Sequence, residues 1–92
     1  MELDLTDAAL ADLRSVRAYT LETWGEKQED KYLNELWIRF EELLADPQRW
    51  RSRDDLFPGC QLAPQGKHVI LFRIEMDVLQ VVRVKWFPYR CQ

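Results

Sequence analysis

The hydrophobic period changes near the middle of the chain, and this change limits the folds that the chain can adopt. Between Tyr32 and Leu44 the apolar residues recur every three or four positions, which is typical of a helix with one wide buried face. Beyond Pro58 and Gly59 the residues follow a strand pattern instead, rich in β-branched side chains over residues 67–85. The sequence therefore predicts a helical layer that packs on a sheet, which is an α+β fold.

Cap and turn residues set the limits of two predicted helices. Thr6 can accept hydrogen bonds from free backbone N–H groups, so it is expected to cap a first helix. Gly25 ends that helix, since it adopts a positive φ without a steric penalty, and Pro47 ends a second helix over residues 26–44. The two helices should form an antiparallel hairpin. The apolar residues expected on the inner face of the first are Ala9, Leu10, Leu13, Val16 and Trp24, with Tyr19 or Leu21.

Four segments have the character of strands. Residues 2–5 alternate polar and apolar side chains, and residues 60–63, 67–74 and 78–85 follow the turn at Pro58. The last two are joined tightly enough to form an antiparallel hairpin. The run from Val69 to Phe72 is apolar on both faces and predicts a central strand. The predicted order is an N-terminal strand, an α-helical hairpin and a three-stranded antiparallel β-meander.

Length and composition fit one small globular domain over residues 1–92. Apolar residues make up 47% of the chain, too many for a disordered protein. No signal peptide and no membrane span is expected, so the predicted location is the cytoplasm, and the thiols of Cys60 and Cys91 are expected to be reduced there. The two cysteines lack the spacing of metal ligands, and neither a metal nor a cofactor is expected.

Charge divides the chain into two halves. Residues 1–46 hold 5 Lys and Arg against 12 Asp and Glu, a formal charge of −7, whereas residues 47–92 hold 8 against 4, a charge of +4. This division is compatible with two surfaces that bind different partners, and equally with an unevenly charged surface in water.

Residues 53–60 (RDDLFPGC) and 66–73 (GKHVILFR) carry the most specific signal in the chain. Together with Tyr19-Thr20, Trp24-Gly25 and residues 81–84 (VVRV), they make the sequence resemble the ParE branch of the ParE/RelE toxin superfamily. The similarity covers nearly the whole chain, and the expected order of elements agrees with that fold.

The resemblance implies the toxin of a bacterial type II toxin–antitoxin pair. ParE-type toxins inhibit DNA gyrase and are neutralised by a cognate antitoxin that wraps around them, so the chain is expected to form a hetero-oligomer with its antitoxin. RelE-type relatives instead cleave messenger RNA in the ribosome. An endoribonuclease and an inactive, antitoxin-binding homologue are the alternatives. Direct contact with nucleic acid or membrane is not expected.

The residues that RNA cleavage would need are sparse in this chain. It requires a base, an acid and cations around the phosphate. The chain offers His68, Arg73, Arg83, Lys85, Tyr89 and Arg90, with Arg49, Arg51 and Arg53 nearby in sequence, and this set lacks a dense basic cluster. His68 begins an apolar strand, which favours a hydrogen-bonded structural residue over a catalytic base. No catalytic residue is therefore assigned, and binding without catalysis is the expected mode of action.

Two surfaces are predicted for partners. The basic, aromatic end of the chain is the candidate for target contact and comprises Arg83, Lys85, Trp86, Tyr89 and Arg90. The apolar face of the hairpin is the candidate for an antitoxin helix, and its residues are Leu10, Leu13, Trp37, Phe40 and Leu44.

Two polar features of the sequence have structural explanations. Arg83 is expected to pair with a carboxylate such as Asp54 or Asp55, because an unpaired buried guanidinium is costly. The two aspartates themselves are expected to serve a turn.

Overall fold

Two helices pack across one face of a five-stranded sheet in a computed structural model of the chain, which describes residues 1–86. The elements in chain order are β1 (Glu2–Leu5), α1 (Asp7–Trp24), α2 (Glu26–Ala45), a 3-10 turn (Pro47–Arg49), β2 (Arg51–Ser52), β3 (Gln61–Gln65), β4 (His68–Glu75) and β5 (Val78–Trp86). The predicted α+β order of strand, helical hairpin and meander is confirmed. The short strand β2 is an addition, and with only two residues it has no alternation that a sequence pattern could reveal.

The strands lie in the order β1-β5-β4-β3-β2. β1 runs parallel to β5, and every other neighbouring pair is antiparallel. β4 therefore lies at the centre of the sheet, as its apolar sequence predicts. Its residues Val69, Ile70, Leu71 and Phe72 are all buried, which accounts for the lack of alternation in this strand.

The predicted ends of both helices are confirmed. Thr6 Oγ1 accepts a hydrogen bond from the backbone N–H of Ala9 at 3.0 Å, which caps α1. Gly25 has φ 91° and ψ 174°, a combination that glycine almost alone adopts, and it separates α1 from α2. α2 ends at Ala45, and Pro47 begins the 3-10 turn.

The buried stripe of α1 is narrower than the sequence predicts. Ala9, Val16 and Thr20 are buried and Leu13 is half-buried, a spacing of three and four residues that faces the core. The prediction was wrong for the residues beside this stripe, because only one narrow face of the helix is turned toward the core. The exposed residues are Leu10, Tyr19, Leu21 and Trp24.

α2 contributes the larger side chains to the core. Leu36, Phe40 and Leu43 are buried and pack with Phe72 and Leu79 of the sheet. Trp37, expected in the same stripe, is 55% exposed, and its ring meets Phe40 edge to face with 6.0 Å between centroids. Thus Trp37 covers the edge of the core and leaves much of its indole at the surface.

A β-bulge interrupts the pairing of β4 with β5. Leu71 pairs with Arg83 and the next residue, Phe72, pairs with Val81, so Val82 is the extra residue on β5. The bulge reverses the alternation of β5. Val84 consequently joins Val81 in the hydrophobic core, although simple alternation places Arg83 on that face.

Gly66 lies in the tight turn between β3 and β4 at φ 57°. A Cβ at this position would come within 2.6 Å of Cε1 and 2.9 Å of Oη of Tyr32. Both the backbone conformation and the close approach of the phenol ring therefore require glycine here.

We predict that Gly66→Ala lowers the free energy of unfolding by about 2–4 kcal/mol. The left-handed backbone costs a side-chain-bearing residue about 1–2 kcal/mol, and overpacking against Tyr32 adds about 1–3 kcal/mol. Urea unfolding followed by circular dichroism measures the change. Gly59→Ala is the matched control, because Gly59 also has a positive φ but open space around its Cβ position. Equal losses in the two variants would contradict a steric role for Tyr32.

Candidate functional site

Arg83, the first predicted target-contact residue, is held by an acidic residue of α1. Its Nε and one terminal nitrogen donate to the two carboxylate oxygens of Asp12 at 2.7 and 3.0 Å, a bidentate ion pair. The prediction that Arg83 pairs with a carboxylate is confirmed, but the partner is wrong. Asp54 and Asp55 lie in the turn after β2, where Asp54 accepts from the backbone N–H of Gly59.

Asp12 and Thr6 also satisfy the backbone of β5 around its bulge. Asp12 Oδ2 accepts from the N–H of Val84 at 2.9 Å, and Thr6 Oγ1 donates to the carbonyl of Val82 at 2.7 Å. Burial alone raises the pKa of Asp12, but the hydrogen bonds from Arg83 and Val84 outweigh it and hold this pKa below its ordinary value. Asp12 is therefore ionised at neutral pH and fixes α1 against β5.

Aromatic side chains line a pocket of about 140 Å³ at the far end of the same two elements. Trp86, the last described residue of β5, meets the edge of Tyr19 with 4.9 Å between ring centroids. Trp86 also packs against the imidazole of His68, with 4.2 Å between the ring centroids and the two rings tilted by 36°. The remaining lining residues are Thr20, Trp24, Tyr32 and Lys67.

Tyr32 and His68 form the polar floor of this pocket. The phenol O–H of Tyr32 donates to the carbonyl of Gln65 at 2.8 Å, since a carbonyl can only accept. The phenol proton is thereby used, so the 2.6 Å contact with His68 Nδ1 requires the imidazole N–H to donate to the phenol oxygen. His68 thus carries its proton on Nδ1 and presents a lone pair on Nε2. Within residues 1–86, Nε2 has no hydrogen-bond partner.

Burial explains the titration of both rings. It lowers the pKa of His68, so the imidazole is neutral at neutral pH. It raises the pKa of Tyr32, an effect that the backbone N–H of Lys67 partly opposes, so the phenol keeps its proton. The interpretation of His68 as a hydrogen-bonded strand residue is confirmed by this geometry.

Comparison with known proteins decides the family. The model of the family described as the ParE toxin of the type II toxin–antitoxin system, parDE, matches residues 3–85. The chain belongs to the ParE toxin family. The protein named Toxin ParE1 from Mycobacterium tuberculosis is 32% identical over 81 residues, which are 87% of this chain and 83% of that protein. Toxin ParE1 from Caulobacter vibrioides is 29% identical over 80 residues, covering 87% and 82% of the two chains.

Solved structures agree with this membership at the level of the fold. A chain of the chromosomal ParDE system from P. aeruginosa superimposes with a TM-score of 0.79 at 19% identity, over 94% of this chain and 95% of that one. A chain of the toxin–antitoxin complex RelBE2 from Mycobacterium tuberculosis superimposes with a TM-score of 0.60 at 22% identity, over 92% and 95%. The architecture is therefore that of the ParE and RelE toxins.

The remaining target-contact residues of this ParE-family chain fall at or beyond the end of β5. Lys85 is half-buried and Trp86 is exposed, next to each other on the last strand. Tyr89 and Arg90 lie outside the described residues, as does Cys91. Sequence reasoning did not predict that Tyr19 and Trp24 lie near Trp86. The Tyr19-Thr20 and Trp24-Gly25 pairs, which were used only for the family resemblance, are the sequence signal that could have indicated them.

The predicted antitoxin-contact residues are only partly at the surface. Leu10 and Trp37 are exposed, and Leu13 and Leu44 are half-buried against the core. Phe40 is wrong as a surface contact, because it is 2% exposed and lies in the core. Its place in the apolar stripe comes from packing on the sheet rather than from a free face.

Three further features of residues 1–86 bear on the sequence predictions: the Cys60 thiol, possible metal ligands and possible membrane spans. Cys60 is buried, and burial raises the pKa of its thiol to about 11, so it is unreactive at neutral pH. Among residues 1–86, no group of His, Cys, Asp and Glu is arranged to hold a metal ion. Neither described helix is long and apolar enough to cross a membrane.

We predict that Asp12→Asn lowers the free energy of unfolding by about 1–2 kcal/mol at pH 7. The amide has one acceptor oxygen and no charge, so one hydrogen bond from Arg83 is lost and the bonds that remain from Arg83 and Val84 are weaker, while water already screens part of the ion pair. The pKa of Asp12 is lowered in the folded state. Its contribution is therefore complete above the unfolded value of about 3.8, and it disappears as the pH falls through the folded value.

Urea unfolding between pH 7 and pH 3 measures the effect. The difference between the wild type and Asp12→Asn should shrink steadily below about pH 4. Asp55→Asn is the control, because Arg53 holds Asp55 in a similar pair at an exposed turn, and this variant should differ little from the wild type at any pH. A difference for Asp12→Asn that is independent of pH would contradict the ion pair.

Proposed function

We propose that this ParE-family toxin acts in the bacterial cytoplasm by binding DNA gyrase stoichiometrically, and that a cognate antitoxin neutralises it. The observation that carries the proposal is the family match over residues 3–85, which spans both helices and nearly all of the sheet. The relatives are named Toxin ParE1, and the implied target of ParE-type toxins is gyrase.

The geometry of the cations supports binding rather than RNA cleavage. Arg83 donates to both oxygens of Asp12, Arg53 pairs with Asp55, and Arg73 donates to Gln80. Each guanidinium is thus engaged by the chain itself, at three separate places in the fold. Stabilising a phosphorane would need several such cations directed at one point, with an acid and a base beside them.

Lys85 and Trp86 belong to the proposed target surface, for which Tyr89 and Arg90 are further candidates that lie outside the described residues. β1 pairs with β5 only as far as Val81, so the outer edge of β5 beyond this point faces no strand of residues 1–86. Arg83 keeps a side-chain exposure of 37% while it is fixed by Asp12, and it can add a positioned positive charge to this surface.

The proposed antitoxin surface lies at the other end of the hairpin. Leu10 near the start of α1 and Trp37 in the second half of α2 are exposed, with Leu13 and Leu44 partly accessible beside them. An amphipathic helix binds such a surface through apolar side chains three or four residues apart. The outer edge of β1 pairs with no described strand and is suited to accept an added strand from the same antitoxin.

We predict that the purified chain inhibits DNA supercoiling by gyrase. The concentration of the chain that gives half-maximal inhibition should rise in proportion to the gyrase concentration. This proportionality follows from stoichiometric binding and not from turnover. A supercoiling assay measures it, and mRNA from cells that express the chain is examined in parallel. Lys85→Ala combined with Trp86→Ala should weaken inhibition at least about tenfold, the typical effect of removing an interface anchor.

Other outcomes would contradict this assignment. Intact supercoiling together with codon-positioned mRNA cuts would show a ribosome-dependent endoribonuclease. Unaffected growth, supercoiling and mRNA in cells that lack antitoxin would show an inactive homologue. The control for expression is the same chain produced together with its antitoxin, which should leave growth normal.

We predict that Leu10→Ser and Trp37→Ala each weaken antitoxin binding by about tenfold or more and leave gyrase inhibition within about twofold of the wild type. Both side chains are exposed, so folding should be retained, and this is checked by circular dichroism. Calorimetry with the purified antitoxin measures the affinity. Met76→Ser is the control, because Met76 is exposed in the distant β4–β5 turn. Unchanged affinity in both hairpin variants would place the antitoxin elsewhere.

A further inference from the structure

The aromatic pocket concentrates exposed rings at one place. Trp24 is 59% exposed, Tyr19 is 47% exposed and Trp86 is 48% exposed, and all three line the pocket. Exposed tryptophan and tyrosine side chains that surround one hollow mark a contact surface, because they offer a large apolar area to a partner. The pocket lies at the Gly25 end of the hairpin, where α1 ends, and not on the Leu10 and Trp37 surface.

The floor of the pocket is held in place before any ligand arrives. Hydrogen bonds with Gln65 and His68 fix Tyr32, whereas within residues 1–86 Trp86 is held only by ring contacts with Tyr19 and His68. The Cβ-free backbone of Gly66 lets Tyr32 approach the β3–β4 turn. A floor fixed in this way binds an inserted side chain with little loss of its own conformational entropy.

One polar group of the pocket lacks a partner. His68 is 3% exposed, and its Nε2 has no hydrogen bond within the described part of the chain. A buried acceptor without a hydrogen bond destabilises the folded state, and such groups in folded proteins call for an explanation. Because Nδ1 carries the proton, Nε2 can only accept, so the missing partner must be an N–H or O–H donor.

Lys67 excludes one class of occupant. Three aromatic rings around a hollow could form a cage for a cation, but the ammonium of Lys67 already lies 5.4 Å from the centroid of the Trp24 ring. A second cation would be repelled there. The occupant is therefore uncharged or anionic, apolar in body, and a hydrogen-bond donor.

We propose that this pocket binds a tyrosine or tryptophan side chain of the toxin's target, whose O–H or N–H donates to Nε2 of His68. The proposal rests on the proposed function in so far as the target is gyrase. The target ring lies among Tyr19, Trp24 and Trp86, and the half-exposed indole of Trp86 moves aside to admit the donor to His68. The pocket thus extends the Lys85 and Trp86 surface onto the end of α1.

The chemistry of the pocket is tested without any partner protein, by titrating the folded chain with indole and with 1-methylindole. The two probes have nearly the same shape, but only indole has an N–H donor. Nuclear magnetic resonance of the tryptophan indole N–H groups follows binding. Indole is expected to shift the signals of Trp24 and Trp86, and 1-methylindole to bind roughly threefold to tenfold more weakly. Equal affinity for the two probes would overturn the donor to His68.

Variants locate the binding. His68→Leu should bind both probes equally. Trp24→Ala, which removes an exposed side chain and should fold, weakens both probes at least about fivefold, whereas Trp37→Ala, an exposed tryptophan outside the pocket, changes neither. Probe binding that persists in Trp24→Ala would overturn the site.

The role in target binding is tested with the same variants in the gyrase supercoiling assay. Trp24→Ala and Tyr19→Ala should weaken inhibition at least about tenfold and keep antitoxin affinity within twofold, while Trp37→Ala keeps inhibition. Full inhibition by Trp24→Ala would overturn the pocket as a target site. A wild-type chain that does not inhibit gyrase would instead refute the proposed function, and the probe titrations would still decide the chemistry of the pocket.

Discussion

The outer edge of β5 is the constraint on which the rest of this structure depends. β1 is short, and its pairing with β5 ends where Leu5 lies beside Val81, although β5 continues to Trp86. The bulge at Val82 falls at that point, so backbone groups of Val82 and Val84 point away from the β4 ladder with no strand of residues 1–86 beside them. Buried backbone groups must find partners, and here Thr6 and Asp12 supply them.

The hydrogen bonds from Thr6 to Val82 and from Val84 to Asp12 also determine where α1 lies, and the position of α1 determines where the pocket forms. Thr6 caps α1 and Asp12 lies on its second turn, so the remainder of the helix is directed along β5 toward Trp86. Tyr19 consequently meets Trp86 near the other end of the helix. Tyr19 and Trp86, which are far apart in sequence, are thus brought into ring contact because Val82 and Val84, earlier on the same strand, need hydrogen-bond partners from Thr6 and Asp12. Gly25 then reverses the chain, and α2 brings Tyr32 to the floor of the same pocket.

Local signals in the sequence predicted most of the fold. Thr6, Gly25 and Pro47 act through their own backbone or side-chain geometry, so their roles follow from residue type alone, and the central position of β4 follows from its continuous apolar run. The hydrogen-bonded role of His68 was predictable from its place at the start of that apolar run. The antitoxin and target surfaces were predicted as sets of named residues, but charge and ring content do not specify which side chains reach water, and Phe40 is buried.

The features that escaped prediction depend on three-dimensional register. The bulge at Val82 shifts every later residue of β5 by one face, and nothing in a run of valines marks where the extra residue falls. The cost of an unpaired guanidinium predicted a carboxylate partner for Arg83, but it does not specify which one, and the actual partner, Asp12, lies 71 residues away along the chain. Trp24 and Trp37 fit an apolar helical period, but that period does not reveal that more than half of each side chain stays exposed.

The pair between Asp12 and Arg83 has a consequence for function as well as for stability. An arginine on the last strand of this fold can serve either as a free cation for a phosphate or as a structural group, and the carboxylate on α1 selects the second role. Freeing the guanidinium would expose the backbone N–H of Val84 and leave a partly buried carboxylate without its counterion, both of which are unfavourable. The cost of recruiting Arg83 for cleavage is thus built into the position of α1. The fixed guanidinium instead keeps this end of the sheet in one arrangement, which supports the protein contact proposed for it.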